Sequence, residues 1–227
     1  LGPDAVEVEA AAVVGDLDDD VAALVVCREA DRSLLGLAGG ATLVHRLEAV
    51  VGGVADHVGQ RVLDEVKDLA VEFGVGTGES TRVIAEYMPV VGFDSGLGLP
   101  EDWRPEFPQH SLAFGIPQVE GATIVEGWFH DTLPGFDFAE LGHIGLVSFD
   151  ADLYSSTATA LQYVGPHLQV GTYCVFDEWY GYGPDELVLQ HEQRAWKEFA
   201  DATGVDWEVI GHGREEWVIR ITGVQRD

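Results

Sequence analysis

Two apolar runs in this chain end in acids. The run IGLVSF closes at Asp150, with Asp152 two residues further on, and GTYCVF closes at Asp177 and Glu178. If the two runs are neighbouring strands, Asp150, Asp177 and Glu178 converge at one edge. Three carboxylates in one place repel each other unless a cation or shared protons relieve them. Oxygen-only ligands suit Mg²⁺, with Mn²⁺ or Ca²⁺ as competitors. Separate strand-end acids with no metal are the plainer alternative. Asp152 has three readings: a base, a contact to a cofactor, or the cap of the next helix.

A second constellation lies upstream, in VEFGVGTGES. It supplies Glu72, Gly74, Gly76 and Gly78, followed by Ser80. Glycines permit positive φ and a close approach of backbone to ligand. The run opens a helix whose first N–H groups favour a negative group. The dinucleotide pattern G-x-G-x-x-G fits Gly74 and Gly76, but its third glycine falls on Glu79. Glu72 precedes the glycines, where it would repel a pyrophosphate and suit an ammonium or a sulfonium. Asp94 ends the next apolar run, 18 residues after Gly76. An acid there can accept hydrogen bonds from both ribose hydroxyls.

These residues need elements to hold them. DLAVEFG, VVGFD, ATIVEG, HIGLVSFD and GTYCVFDE read as five strands. ESTRVIAEYM between the first two reads as a helix with Val83, Ile84, Tyr87 and Met88 on one face. SSTATALQYVGPHL reads as a helix capped by Ser155 or Ser156, with Ala158, Leu161 and Val164 inward. DELVLQHEQRAWKEFADA is a third, with Leu189, Trp196, Phe199 and Ala200 as core candidates. DWEVIGHG and EEWVIRIT form a closing antiparallel pair. The predicted fold is α/β: a Rossmann-like, doubly wound, mostly parallel seven-stranded sheet with an antiparallel C-terminal hairpin and helices on both faces. Ligands of such sheets bind outside the carboxyl ends of the strands, so the strand-end residues are the informative ones. The Gly/Pro-rich loop from Gly96 to Pro117 is long, a mark of functional or mobile loops.

The motifs VEFGVGTGEST, GFDSGLGLPEDW, EGWFHDTLP, FDADLYSST and VFDEWYG occur in one order. Together they resemble class I S-adenosylmethionine-dependent methyltransferases and, more narrowly, the macrocin O-methyltransferase family. The resemblance spans roughly residues 66–222. It implies that Glu72, Gly74, Gly76 and Gly78 surround the methionine part of the cofactor, with Ser80 nearby. It implies Asp94 on the ribose and Gly127–Trp128 near the adenine, where an indole offers a π-face. It also implies a divalent metal, Mg²⁺, on Asp150, Asp177 and Glu178, and a hydroxyl acceptor on a sugar-bearing natural product. A metal chelating vicinal hydroxyls lowers the proton affinity of one of them. Asp152, or Asp150 while bound to metal, would take the proton; His110 and His130 are weaker candidates. The chain departs from the family's pattern at Glu178 and Trp179, commonly aspartate and tyrosine, and at Gly96, commonly aromatic. Leu153 stands where some metal-dependent methyltransferases carry a lysine. Two rivals are a non-catalytic module of the same fold and a nucleotide-dependent oxidoreductase.

Composition narrows the setting. Forty acids against twelve bases give a net charge of −28, which repels nucleic acid and anionic lipid. Cys27 and Cys174, 147 positions apart, read as reduced thiols of a cytoplasmic protein. No apolar run approaches the ~20 residues that span a bilayer. Leu1 as first residue and Met88 as sole methionine point to a processed form or a piece of a longer protein. Residues 1–60 are expected to form an acidic arm and a helical lid segment, and 61–227 the methyltransferase domain. The oligomeric state is open, with a homo-oligomer among the options.

Overall fold

A computed structural model of the chain describes Val66 and residues 68–179, 191–213 and 215–225. The expected arm and lid over 1–60, Cys27 and the core candidate Leu189 lie outside the described residues. The strands are β1 (Leu69–Phe73), β2 (Val90–Asp94), β3 (Ala122–Glu126), β4 (Ile144–Phe149), β5 (Tyr173–Phe176), β6 (Asp206–His212) and β7 (Trp217–Gly223). They form one sheet in the order β3-β2-β1-β4-β5-β7-β6. The β1–β5 pairs are parallel, and β7 runs antiparallel to both β5 and β6. The predicted sheet is therefore the observed one. The order reverses between β1 and β4, the crevice where such sheets bind ligands.

The central strands are apolar because both faces are covered. All residues of β4 and β5 are buried. Alternation along each strand feeds two cores. Val71, Phe73, Val147, Phe149, Cys174 and Phe176 pack with helices α3 (Tyr154–Val164) and α4 (His191–Thr203). Ala70, Val90, Leu146, Tyr173 and Val175 pack with Ile84 of helix α1 (Glu79–Ala85) and with Met88, and a short helix α2 (Phe129–Thr132) follows β3. The Cys174 thiol is buried, which pushes its pKa up and keeps it inert.

One row of side chains fixes the height of the strand ends. Phe93, Phe73, Phe149 and Phe176 are register partners across β2, β1, β4 and β5. Their rings stack in sequence, with centroids 5.3, 5.6 and 4.9 Å apart and planes within 17°. Each such pair adds about 0.5–1.5 kcal/mol beyond its buried area. The residues immediately after the row are Asp94, Gly74, Asp150 and Asp177. The ladder carries one step further through them. Gly74, Asp150 and Asp177 donate their amides to Phe93, Phe73 and Phe149 at 3.0, 2.9 and 3.0 Å.

Some helical details differ from expectation. α1 ends at Ala85, so Tyr87 leaves the apolar face and is 40% exposed. The cap position of α3 falls on Leu153, not on Ser155 or Ser156, which lie inside the helix. The buried face of α3 is Thr157, Ala160, Leu161 and Val164, with Ala158 only partly buried. Trp196 and Ala200 are buried as expected, with Phe199 packed partly against them. Among the described residues, no helix is long and apolar enough to cross a membrane.

Candidate active site

A cavity of about 580 Å³ opens at the carboxyl ends of β1, β2, β4 and β5. One half is built around the glycine loop. Gly74 holds φ +88°, and a Cβ there would stand 1.9 Å from the Asp150 carbonyl oxygen, so β1 and β4 can approach only without a side chain. Asp94 organises the same loop. Its Oδ2 accepts the amides of Val75 and Gly76 at 2.8 and 2.9 Å, and its Oδ1 accepts that of Gly96 at 2.7 Å. Gly96 has φ +68°, which gives this position a backbone reason to lack the aromatic.

Gly74, Gly76, Asp94, Gly127 and Trp128 all line the cavity. Glu72, Gly78 and Ser80 lie behind these residues and do not line the cavity. Glu72 shares its strand face with Ala70, so it points to the α1 side and is wholly buried. There Thr81 Oγ1 donates to its Oε2 at 2.5 Å. Burial pushes its pKa up to about 7, opposed by the Ser80 and Thr81 hydroxyls and aided by the charge of Asp94. Gly78 caps α1 at φ +79° and packs against Pro117 and Val119.

The other half of the cavity is acidic. Asp150, Asp152, Asp177 and Glu178 line it. One carboxylate oxygen from each of Asp150, Asp177 and Glu178 lies within 4.8 Å of the others. The sequence expectation of convergence at the β4–β5 edge is met. Burial, then the charges of Asp177, Asp152, Glu192 and Glu72, hold the Asp150 carboxyl well above its ordinary range. Glu178 is raised in the same way, by burial first and then by Asp177, Asp152, Glu192 and Asp150. An all-oxygen donor set under this much mutual repulsion fits a hard divalent cation.

Asp152 adopts φ +62°, a left-handed conformation that aspartate tolerates, and is 8% exposed. Since Leu153 occupies the cap position, the helix-cap reading of Asp152 falls. His130 lines the cavity beside Trp128, its ring 6.5 Å from the indole. His110 is exposed and does not line the cavity. Trp103, Arg104, Phe107, Leu112 and Phe114 of the long loop also line the cavity. The Arg104 guanidinium lies 3.9 Å over the Trp103 ring.

One acid had no place in the sequence reading. Glu192 on α4 is fully buried, next to both acid-bearing turns. Burial raises its pKa, as do Asp177 and Asp152, while the Glu178 and Ala151 amides oppose the shift. The signal was available: Glu192, Trp196 and Ala200 follow one another at four-residue spacing, so an acid sits on the apolar stripe of the helix.

Strand order, reversal and cavity define the Rossmann-like methyltransferase fold. The chain is similar to the structure of the O-methyltransferase NovP, with a TM-score of 0.56 and 24% identity over 79% of this chain and 81% of that one. It is also similar to CalS11, a calicheamicin methyltransferase, with a TM-score of 0.54 and 22% identity over 78% and 84% of the two chains. More narrowly, the chain resembles the macrocin O-methyltransferase family. The family described as Macrocin-O-methyltransferase (TylF) matches residues 113–211, a stretch that holds Trp128 and every acid of the β4–β5 cluster. A relative from Streptomyces olivaceus, 8-demethyl-8-(2,3-dimethoxy-alpha-L-rhamnosyl)-tetracenomycin-C 4'-O-methyltransferase, is 32% identical over 107 residues. That alignment covers 41% of this chain and 39% of the relative's length.

Proposed function

We propose that the chain is an S-adenosylmethionine-dependent O-methyltransferase that methylates a hydroxyl of a small, sugar-bearing natural product with the help of a divalent cation. The observation that carries this reading is the union of two sites in one cavity. The glycine loop, Asp94 and Trp128 stand on one side, and Asp150, Asp177 and Glu178 stand on the other. The family match and the rhamnosyl substrate named for the Streptomyces relative support a sugar hydroxyl as acceptor.

Each residue has a part. Asp94 already accepts three loop amides, and the one site left on Oδ1 takes a ribose hydroxyl. Trp128 packs its ring against the adenine. The backbone of Gly74–Thr77 borders the methionine part, close to the β4 turn. S-adenosylmethionine supplies the methyl group on a sulfonium. Asp150, Asp177 and Glu178 would hold Mg²⁺, which would supply Lewis-acid stabilisation of negative charge on the acceptor oxygen. Asp152 receives the hydroxyl proton on its carboxylate. Leu112, Phe114 and Trp103 keep water from the acceptor side. Placement of the reacting atoms in line supplies much of the remaining acceleration.

The oxidoreductase reading is weaker, because Glu79 takes the place of the third glycine and Asp94 already occupies the loop amides. Calorimetry with S-adenosylmethionine and with NAD separates the two; lack of binding by the former sinks the leading idea. Sugar-bearing acceptors offered with methyl-labelled cofactor then identify the substrate. Asp150→Asn and Asp177→Asn are each expected to abolish methyl transfer and spare cofactor binding. Full activity in excess chelator removes the metal from the reading.

A further inference from the structure

Glu192 is the only acid among the groups that raise the Asp150 pKa, apart from Glu72, that does not itself line the cavity. Among the described residues it bonds to both turns that do and to the first turn of α3. Its Oε2 accepts the amide of Glu178 at 3.1 Å. Its Oε1 faces the amide of Ala151 and the hydroxyl of Thr157, each at 3.4 Å. Ala151 lies between Asp150 and Asp152, after β4. Glu178 lies after β5. One carboxylate therefore spans the two acid-bearing turns. The neighbouring residue adds a parallel contact, since His191 Nδ1 lies 3.4 Å from the amide of Tyr154 at the start of α3.

A carboxylate is the group this place requires. Donors approach from both sides, so two acceptor oxygens on a planar fork are needed. Glutamine would turn an NH₂ toward one of the donors, and aspartate is too short to reach both turns. A fully buried acid among other acids is costly, and what offsets that cost here is acceptance of the amides of both turns. We propose that Glu192 is a positioning residue whose carboxylate sets the separation of the β4 and β5 turns, and with it the spacing of Asp150, Asp177 and Glu178. The inference rests on the metal-assisted reading above. Outer-shell partners of this kind typically change metal affinity by roughly 10- to 100-fold when altered.

The test titrates Mn²⁺ into the full chain and follows free and bound ion by electron paramagnetic resonance. Glu192→Gln and Glu192→Asp are compared with wild type, and calorimetry with S-adenosylhomocysteine reports on the intact half of the cavity. The expected result is a Mn²⁺ Kd raised about 10-fold or more, a broadened bound-ion signal, and cofactor affinity within about twofold of wild type. Wild-type Mn²⁺ affinity and line shape in a folded variant overturn the inference. If wild type itself takes up no Mn²⁺, the metal reading fails on its own. The clasp is then decided by hydrogen exchange at the Ala151 and Glu178 amides. Faster exchange in Glu192→Gln supports it, and unchanged exchange overturns it.

Discussion

The Thr81 hydroxyl donates to Glu72 at 2.5 Å, and both side chains are wholly buried under the glycine loop. A carboxyl in that setting is costly to ionise, and its pKa rises from 4.5 to about 7. The unfolded chain ionises first as pH rises, so the Glu72 contribution to stability is complete below about pH 4.5 and is lost up to about pH 7. The loss is roughly 3 kcal/mol. Glu72→Gln has no proton to lose. Relative to wild type it is expected to gain about that amount between pH 5 and pH 8. Urea unfolding of both proteins across this range checks it; a pH-independent difference between them refutes it.

Asp150 stands in the centre of the acid cluster and is raised by burial and by four neighbouring charges. Without metal, Asp150→Asn relieves repulsion, so the variant is expected to unfold at higher temperature than wild type at pH 8. Adding Mg²⁺ reverses the ranking. Wild type gains about 2.7 kcal/mol at 100 times its Kd, and the variant gains little. Thermal melts with Mg²⁺ and with chelator show whether the two curves cross.

Gly74 and Gly76 differ although both hold positive φ. A Cβ on Gly74 meets the Asp150 carbonyl oxygen at 1.9 Å, whereas a Cβ on Gly76 has only the Phe114 ring at 3.8 Å. Gly74→Ala should cost about 4 kcal/mol or prevent folding. Gly76→Ala should cost about 1 kcal/mol, the backbone penalty alone. Equal stability of the two variants in urea contradicts the close approach of β1 and β4.

Asp94 accepts three backbone amides from two loops. Asp94→Asn places an NH₂ against at least one of them and removes the charge. The loss of charge-assisted bonds, each about 1.5–3 kcal/mol, should weaken S-adenosylhomocysteine binding by roughly tenfold or more. Mg²⁺-induced stabilisation should persist, because the acid cluster belongs to other strands. A calorimetric titration in which Asp94→Asn binds like wild type rules this out.

The sheet was legible because strands buried on both faces leave unmistakable apolar runs, and each run here ends in a charged or glycine residue. The acids Asp150, Asp177 and Glu178 could be placed together because consecutive strands paired. What sequence could not supply was direction across the sheet. Glu72 belongs to the glycine motif by spacing, yet strand parity turns it to the α1 face and away from the cavity. Asp152 read as a cap candidate because helix starts favour acids, but its left-handed φ delays the helix by a residue. Glu192 sits 14 residues beyond Glu178 in sequence, and only the packing of α4 on α3 brings it back.

The row of Phe93, Phe73, Phe149 and Phe176 joins the two halves of the cavity through stacked rings and the ladder bonds at its end. It behaves as a common baseplate: bending it tilts Asp94 and the acid cluster together, whereas the long loop is tied to the row only through the Gly96 amide on Asp94. Exchanging the loop between Leu97 and Phe114 is expected to change what enters the cavity, and trimming Phe149 to weaken S-adenosylhomocysteine and Mg²⁺ binding together.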